Sequence, residues 1–235
     1  MIAWLRARKS LLEHISATLL IGLALSILCL WAFVHLISEV FREQETQLDQ
    51  AVANAVHAAA TPDATRFFLT ATMLGFQVLW GIGVLVGLYF LLKRQWIRLG
   101  VWIVALAGGE ALDFLLKLWF NRPRPYFADP IAVALYSSFP SGHATMSVIT
   151  YGLLIYFANI TLKRAWMRVV SSAALILIVL LIGVSRIYLG VHYLTDVLAG
   201  FAMGGLWLIF CVSALNYLLA RQARRHPPTQ AVTSN

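Results

Sequence analysis

Long apolar runs separated by brief polar punctuation set the pattern of this chain. Six stretches, roughly 15–38, 67–92, 98–119, 143–161, 169–189 and 195–219, are each apolar over about 20 residues, the length a helix needs to cross a bilayer. The pattern predicts an all-α, polytopic bundle of six transmembrane helices. A backbone in lipid must satisfy its own hydrogen bonds, and a helix does so within one segment. Between the first two runs, Leu48, Val52, Ala55, Val56 and Ala59 recur at helical spacing. They predict a short amphipathic helix, either an ordinary solvated loop helix or a lid lying on the membrane surface.

Composition agrees with a membrane class. The 235 residues are 60% hydrophobic and 12% charged, about half the charged fraction of a soluble domain. The net charge of +8 does not imply nucleic acid, because Lys and Arg fall in small groups between apolar runs and build no continuous basic face. The two cysteines, Cys29 and Cys211, both lie in apolar runs, which disfavours a disulfide framework or a thiolate metal site. Arg6, Arg8 and Lys9 precede an apolar run too long for a cleaved signal and better suited to a span. The residues from Arg221 to Asn235 are polar and unpatterned, so the chain reads as one membrane domain, 1–220, followed by a disordered cytoplasmic tail, 221–235.

Charge position orients the bundle. One face collects Arg6, Arg8, Lys9, Lys93, Arg94, Arg98, Lys163, Arg164, Arg168, Arg221, Arg224 and Arg225, and the other keeps Arg42, Arg66, Lys117, Arg122, Arg124 and Arg186. The twelve basic residues belong on the cytoplasmic side with both termini.

Polar groups inside the apolar pattern carry the chemistry, and three clusters share the outer face. The stretch Ser185 to Asp196 contains Arg186, His192 and Asp196. A helix from about Val191 would put His192 and Asp196 on one face, where the carboxylate could accept a hydrogen bond from one ring nitrogen and leave the other as a nucleophile or base. The same residues would also serve as a buried structural pair. On the third span, Glu110, Asp113 and Lys117 lie on one helical face, which should look into the bundle. An ion pair between Asp113 and Lys117 accounts for them equally well. Beyond it, Pro123 and Pro125 stop the helix and hold Arg124 on a stiff extended segment, while Arg122 is expected to face headgroups. The third cluster, Pro140-Ser141-Gly142-His143, opens the fourth span with a capping serine, a glycine that admits close approach, and the free amides of a helix start, which favour phosphate. Two histidines and an aspartate could hold a metal, but Lys117, Arg124 and Arg186 beside them would repel a divalent ion and suit phosphate oxygens.

Lys117-x6-Arg124-Pro125, Pro140-Ser141-Gly142-His143 and Ser185-Arg186-x5-His192-x3-Asp196 together resemble the three-part signature of the type 2 phosphatidic acid phosphatase (PAP2) superfamily. The resemblance implies a metal- and cofactor-free lipid phosphate phosphatase embedded in the bacterial inner membrane. It implies that His192 attacks phosphorus, that Asp196 orients it, and that His143 serves as acid and then base. Lys117, Arg124, Arg186 and the amides near Ser141 and Gly142 would hold the phosphate. Phosphatidylglycerol phosphate, phosphatidic acid and undecaprenyl diphosphate are the substrates such enzymes take. A lipid phosphotransferase on the same site, or a non-catalytic transporter or scaffold with an anion site, are the alternatives; binding alone does not need both histidines and Asp196.

The charge asymmetry predicts that the segment from Arg122 to Ser138 is extracytoplasmic. Cysteine placed there should react with an impermeant thiol reagent in intact cells, and labelling only after lysis would reverse the orientation.

Overall fold

The computed structural model describes residues 2–42 and 46–225, with side chains from Leu20 onward. Among them are eight helices and no strands: α1 (Ile2–Arg42), α2 (Gln47–Ala58), α3 (Pro62–Met73), α4 (Gln77–Leu92), α5 (Trp96–Phe120), α6 (Gly142–Thr161), α7 (Ala165–Tyr188) and α8 (Leu194–Arg225). Six helical segments are long and apolar enough to cross a membrane, with α3 and α4 together forming the second. Large apolar side chains such as Leu20, Trp31, Val84, Leu92, Trp119 and Val169 stay exposed on them, as expected where the solvent is lipid. Residues 221–225 continue α8, so the tail read as beginning at Arg221 is helical at its start; its remainder, 226–235, lies outside the described residues.

The second span is not one continuous helix. Leu74, Gly75 and Phe76 break it, and the N–H groups of these three residues make tight i→i−3 bonds to Ala71, Thr72 and Met73. The break leaves the Leu74 carbonyl exposed to an apolar interior, and the Tyr151 hydroxyl of α6 donates to it at 2.7 Å. Glycine is required at the break: a Cβ on Gly75 would stand 2.7 Å from the Ile182 side chain and 3.1 Å from the His143 ring. The interruption thus lets this span press against the start of α6.

α6 is the axis of the bundle, buried against α5, α7 and α8. Its contact with α8 is a backbone approach. Built on Gly200, a Cβ would lie 2.7 Å from the Ser141 carbonyl oxygen, and on Gly204, 2.7 Å from that of Thr145. This small-xxx-small spacing lets two helices meet where lipid supplies no hydrophobic drive. Because α5 to α8 alternate in direction, the C-terminal ends of α5 and α7 and the N-terminal ends of α6 and α8 gather at one end of the bundle. All three polar clusters lie there.

α2 is a helix, as its spacing predicts, but it docks on the bundle through a different face. Its buried positions are Asp49 and Ala53, with Val52 and Val56 partly covered, while Leu48, Ala55 and Ala59 are exposed. The docked face is therefore turned from the one that hydrophobicity alone selects. An acidic residue leads it because its partners lie within the protein. Val56 joins Tyr188, Leu189 and Val191 in a small apolar cluster, and the Thr61 N–H donates to the Tyr188 hydroxyl at 3.1 Å.

Gly200→Ala and Gly204→Ala are expected to destabilise the fold by about 1–3 kcal/mol each, the cost of overpacking a filled contact. Gly100→Ala, whose Cβ would meet nothing within 4 Å, should be neutral or stabilising by up to about 1 kcal/mol, the helix preference of alanine over glycine. Unfolding in detergent compares the three, and equal stability would contradict the close α6–α8 approach.

Candidate active site

The site is assembled by four helix ends and the segment 121–141. α5 delivers Asp113 and Lys117, and Lys117 Nζ donates to Asp113 Oδ2 at 2.5 Å and to the Pro140 carbonyl at 2.8 Å. The structural ion pair anticipated on this face therefore exists, and it also fixes the lysine at the site. Asn121 ends α5 in the left-handed conformation with φ 43°. The following prolines keep the chain extended, and it crosses above the bundle to Ser141.

Arg124 holds this segment in place. Its Nε donates to the Tyr136 carbonyl at 3.0 Å, Nη2 to those of Leu135 and Ser137 at 3.0 and 3.3 Å, and Nη1 to that of Val191. The same Nη1 lies 3.2 Å from His192 Nε2. Arg124 thus reaches the site as expected, but it is also the latch of the loop above it.

α7 ends in a Schellman turn. The Gly190 N–H bonds the Ile187 carbonyl, Val191 N–H bonds that of Arg186, and Gly190 takes φ 68°. This reversal drops His192 into the site ahead of α8, which begins at Leu194 rather than near Val191. The expected hydrogen bond from the His192 ring to Asp196 is consequently not the one formed. His192 Nδ1 is 2.7 Å from the Ser138 carbonyl and 3.5 Å from Asp196 Oδ2. A carbonyl only accepts, so Nδ1 carries the proton and Nε2 keeps its lone pair toward the cavity. Asp196 Oδ2 instead accepts the Tyr193 N–H at 2.9 Å, the reach-back bond of a capping box. Burial first, and then the positive charges of Arg186, Arg124 and Lys117, push the His192 imidazole well below the usual histidine value; the Ser138 carbonyl opposes them.

Arg122 departs furthest from expectation. It does not face headgroups: it is 2% exposed, with Nη2 donating to Asp49 Oδ2 at 2.8 Å and Nη1 to Thr195 Oγ1 at 2.8 Å and to Asp196 Oδ1. Two buried carboxylates outweigh water as partners for a guanidinium at this position. Asp49 also accepts from the Thr195 N–H at 3.0 Å and hydroxyl at 2.6 Å, so a residue of α2 caps the first turn of α8. Asp49, Ser138 and Thr195 were not legible as site neighbours, because the face of α2 that docks is not the one its apolar spacing selects.

Lys117, Arg124, Gly142, His143, Arg186 and His192 line one cavity of about 480 Å³. Arg186 Nη1 donates to Thr72 Oγ1 at 2.7 Å, while Arg186 Nε and Ser141 Oγ have no hydrogen-bond partner among the described residues. Ser141 takes the N-cap position, yet its hydroxyl does not cap. These donors and the free amides of α6 suit an oxyanion, but the Ser141 N–H, expected among the phosphate-binding amides, is taken by the Asp196 carbonyl at 3.0 Å. The His143 ring stacks on Phe76 at 5.7 Å between centroids, and Asp113 packs so closely on Gly142 that a Cβ there would lie 2.7 Å from Oδ2. Phe114 and Leu118, exposed on the flank of α5, complete the wall and give the cavity an apolar rim.

Known proteins share both the sequence and this architecture. The PAP2 superfamily model matches residues 98–220, which span every one of the six lining residues just named. Phosphatidylglycerophosphatase B of Bacillus subtilis (strain 168) is 30% identical over 193 residues, 80% of this chain and 93% of that protein. The putative undecaprenyl-diphosphatase YbjG of Escherichia coli (strain K12) is 32% identical over 116 residues, 47% of this chain and 52% of that one. The crystal structure of a transmembrane PAP2-type phosphatidylglycerolphosphate phosphatase from Bacillus subtilis superposes with a TM-score of 0.73 at 28% identity, covering 83% of this chain and 96% of that chain. A family model over more than half the chain, a relative matched over 93% of its length and a shared transmembrane fold lead to one assignment: the chain belongs to the PAP2 superfamily, among its membrane lipid phosphatases.

Proposed function

We propose that this protein hydrolyses a lipid phosphomonoester of the phosphatidylglycerol phosphate class, at the extracytoplasmic face of a bacterial inner membrane, through a phosphohistidine on His192. The observation that carries the reading is the His192 ring itself. Its Nδ1 is committed to a carbonyl, its Nε2 is bare of a proton, and three cations surround the cavity that Nε2 faces. In the first step Nε2 forms a bond to phosphorus, the phosphorus–oxygen bond to the lipid breaks, and the departing oxygen takes a proton from His143. In the second, water attacks phosphorus and gives its proton to His143, and the phosphorus–nitrogen bond returns its electron pair to His192. Lys117, Arg124 and Arg186 stabilise the charge on the transferring phosphoryl oxygens.

The lipid portion lies along the α4–α5 seam. Trp80 joins the catalytic cavity to a second, apolar cavity of about 490 Å³ lined by Gly83, Gly87, Trp102 and Leu106, a fit for hydrocarbon chain. Glu110, one turn inward from Asp113, adds a carboxylate to the wall past the phosphate. When ionised, that carboxylate opposes a second phosphate and favours a monoester over a diphosphate. The nearly complete match to a phosphatidylglycerophosphatase, against about half-coverage for the diphosphatase, supports the same choice.

Phosphate release from a panel of phosphatidylglycerol phosphate, phosphatidic acid and undecaprenyl diphosphate tests the substrate; fastest turnover of the diphosphate would overturn the monoester reading. Rapid quenching into alkali should trap labelled protein whose label is lost in brief acid, and His192→Ala should abolish both label and turnover. Acid-stable label, or label kept by His192→Ala, would name another nucleophile.

The depressed affinity of His192 for protons sets a pH signature. An ordinary histidine protonates as pH falls through about 6.5 and would cease to attack. Here the folded-state value lies lower, so the imidazole remains neutral through that range. With p-nitrophenyl phosphate, whose leaving group needs little protonation, kcat/KM corrected for substrate ionisation should show no break near pH 6.5, the value of a free imidazole, to within about a unit. An acid limb centred there would place His192 in an unperturbed setting.

A further inference from the structure

We propose that Asp49, on the helix before the second span, is a positioning residue for the reaction: by sharing Arg122 with Asp196 it holds one Asp196 oxygen toward the His192 ring. This rests on His192 as the nucleophile, and it adds a residue from α2, outside the matched 98–220 region, to the machinery of the site.

The geometry divides one guanidinium between two carboxylates. Nη2 serves Asp49 Oδ2, and Nη1 serves Asp196 Oδ1 and the Thr195 hydroxyl. An arginine facing a single carboxylate favours the two-pronged, fork-to-fork arrangement. Asp49 prevents it, so Asp196 meets Arg122 through Oδ1 and turns Oδ2 to the Tyr193 N–H and to His192 Nδ1 at 3.5 Å. Arg122 reaches the same ring by a second route. Its carbonyl accepts the Ser138 N–H at 2.9 Å, and the Ser138 carbonyl is the partner of His192 Nδ1. The guanidinium and the backbone of one residue therefore place both acceptors that face the proton-bearing nitrogen.

Charge points the same way. The Asp49, Arg122 and Asp196 side chains are all fully excluded from solvent. Among the described residues, two carboxylates face one guanidinium, a formal net charge of minus one, beside a ring that gains positive charge as Nε2 bonds to phosphorus. Without the charge on Asp49 the group is neutral, and Arg122 is able to turn both prongs onto Asp196, drawing Oδ2 from the ring. In the Asp49→Asn variant the amide oxygen still accepts from the Thr195 N–H, so the helix cap survives while the charge does not.

The test is a double-mutant cycle on full-length protein in detergent, with phosphatidylglycerol phosphate and p-nitrophenyl phosphate as probes. Asp49→Asn is expected to lower kcat about 10- to 100-fold, the scale of loss when groups that orient a metal-bound histidine are altered, with KM within about twofold. Because Asp49 acts through Asp196, the Asp49→Asn/Asp196→Asn double variant should be no slower than Asp196→Asn alone. Asp49→Glu, which keeps the charge, should recover part of the loss. If Asp49→Asn does not fold, Arg122→Lys replaces the fork with a point charge and should show the same coupling to Asp196→Asn. Losses that multiply independently, a change confined to KM, or a normal kcat in folded Asp49→Asn would overturn the positioning role. Turnover retained by His192→Ala would instead overturn the nucleophile assignment on which the role depends.

Discussion

Arg122 is a permanent cation with no exposed side-chain surface, and such a charge is tolerable only where anions and hydrogen-bond acceptors meet it at close range. Asp49 and Asp196 do so from α2 and α8, and the Arg122 ring partner, Tyr193, lies 4.6 Å below the guanidinium carbon. Removing one partner of a buried pair typically costs about 3–5 kcal/mol, because the other charge is left unmet. The three elements are therefore locked together as a unit. What depends on that unit is the neighbourhood of His192: the start of α8, the Ser138 carbonyl and the covering helix α2.

The membrane-embedded part supplies a different constraint. Lipid offers no hydrogen bonds and little drive for helices to associate, so the bundle closes through backbone proximity. Gly200 and Gly204 bring α8 onto α6, where the Ser141 N–H bonds the Asp196 carbonyl at 3.0 Å. That contact sets the starts of two helices side by side and so brings the Ser141-Gly142-His143 turn to His192. The break at Leu74 to Phe76 places an aromatic ring on His143. Thr72, in the last turn before it, accepts from Arg186. A helix interrupted within a span is tolerated here because Tyr151 answers the freed carbonyl.

The cations of the site are held before any substrate arrives. Lys117 is tied to Asp113 and Pro140, Arg124 to four backbone carbonyls, and Arg186 to Thr72. Fixed donors need little reorganisation as charge moves during phosphoryl transfer, and this preorganisation is the main electrostatic resource of such sites. The same bonds spread the repulsion among three like charges. Carbonyl oxygens share the load on Arg124, and a carboxylate shares that on Lys117.

The six spans, the gathering of polar clusters at one end and the cations and histidines of the cavity were legible in the sequence, whereas Gly75, Phe76 and Trp80, which also line it, were not. Hydrophobic run length and alternation of direction are local properties, and the three spaced clusters lie near helix ends that can be read from proline, glycine and a change in polarity. Partners across the fold were not legible. Arg122 looked like a surface arginine because nothing within its own segment neutralises it, while its counter-ions lie 73 and 74 residues away. The spacing of His192 and Asp196 suggested a direct i, i+4 bond, but Gly190 turns the chain and delays the helix to Leu194, so the ring finds Ser138 instead. Hydrophobicity chose one face of α2, and a single buried ion pair turned another toward the protein. Sequence by itself determined which segments enter the membrane and which residue types meet at the site. Only the tertiary structure decided which charge pairs with which, because a buried charge takes its partner from whatever element packing brings within about 3 Å.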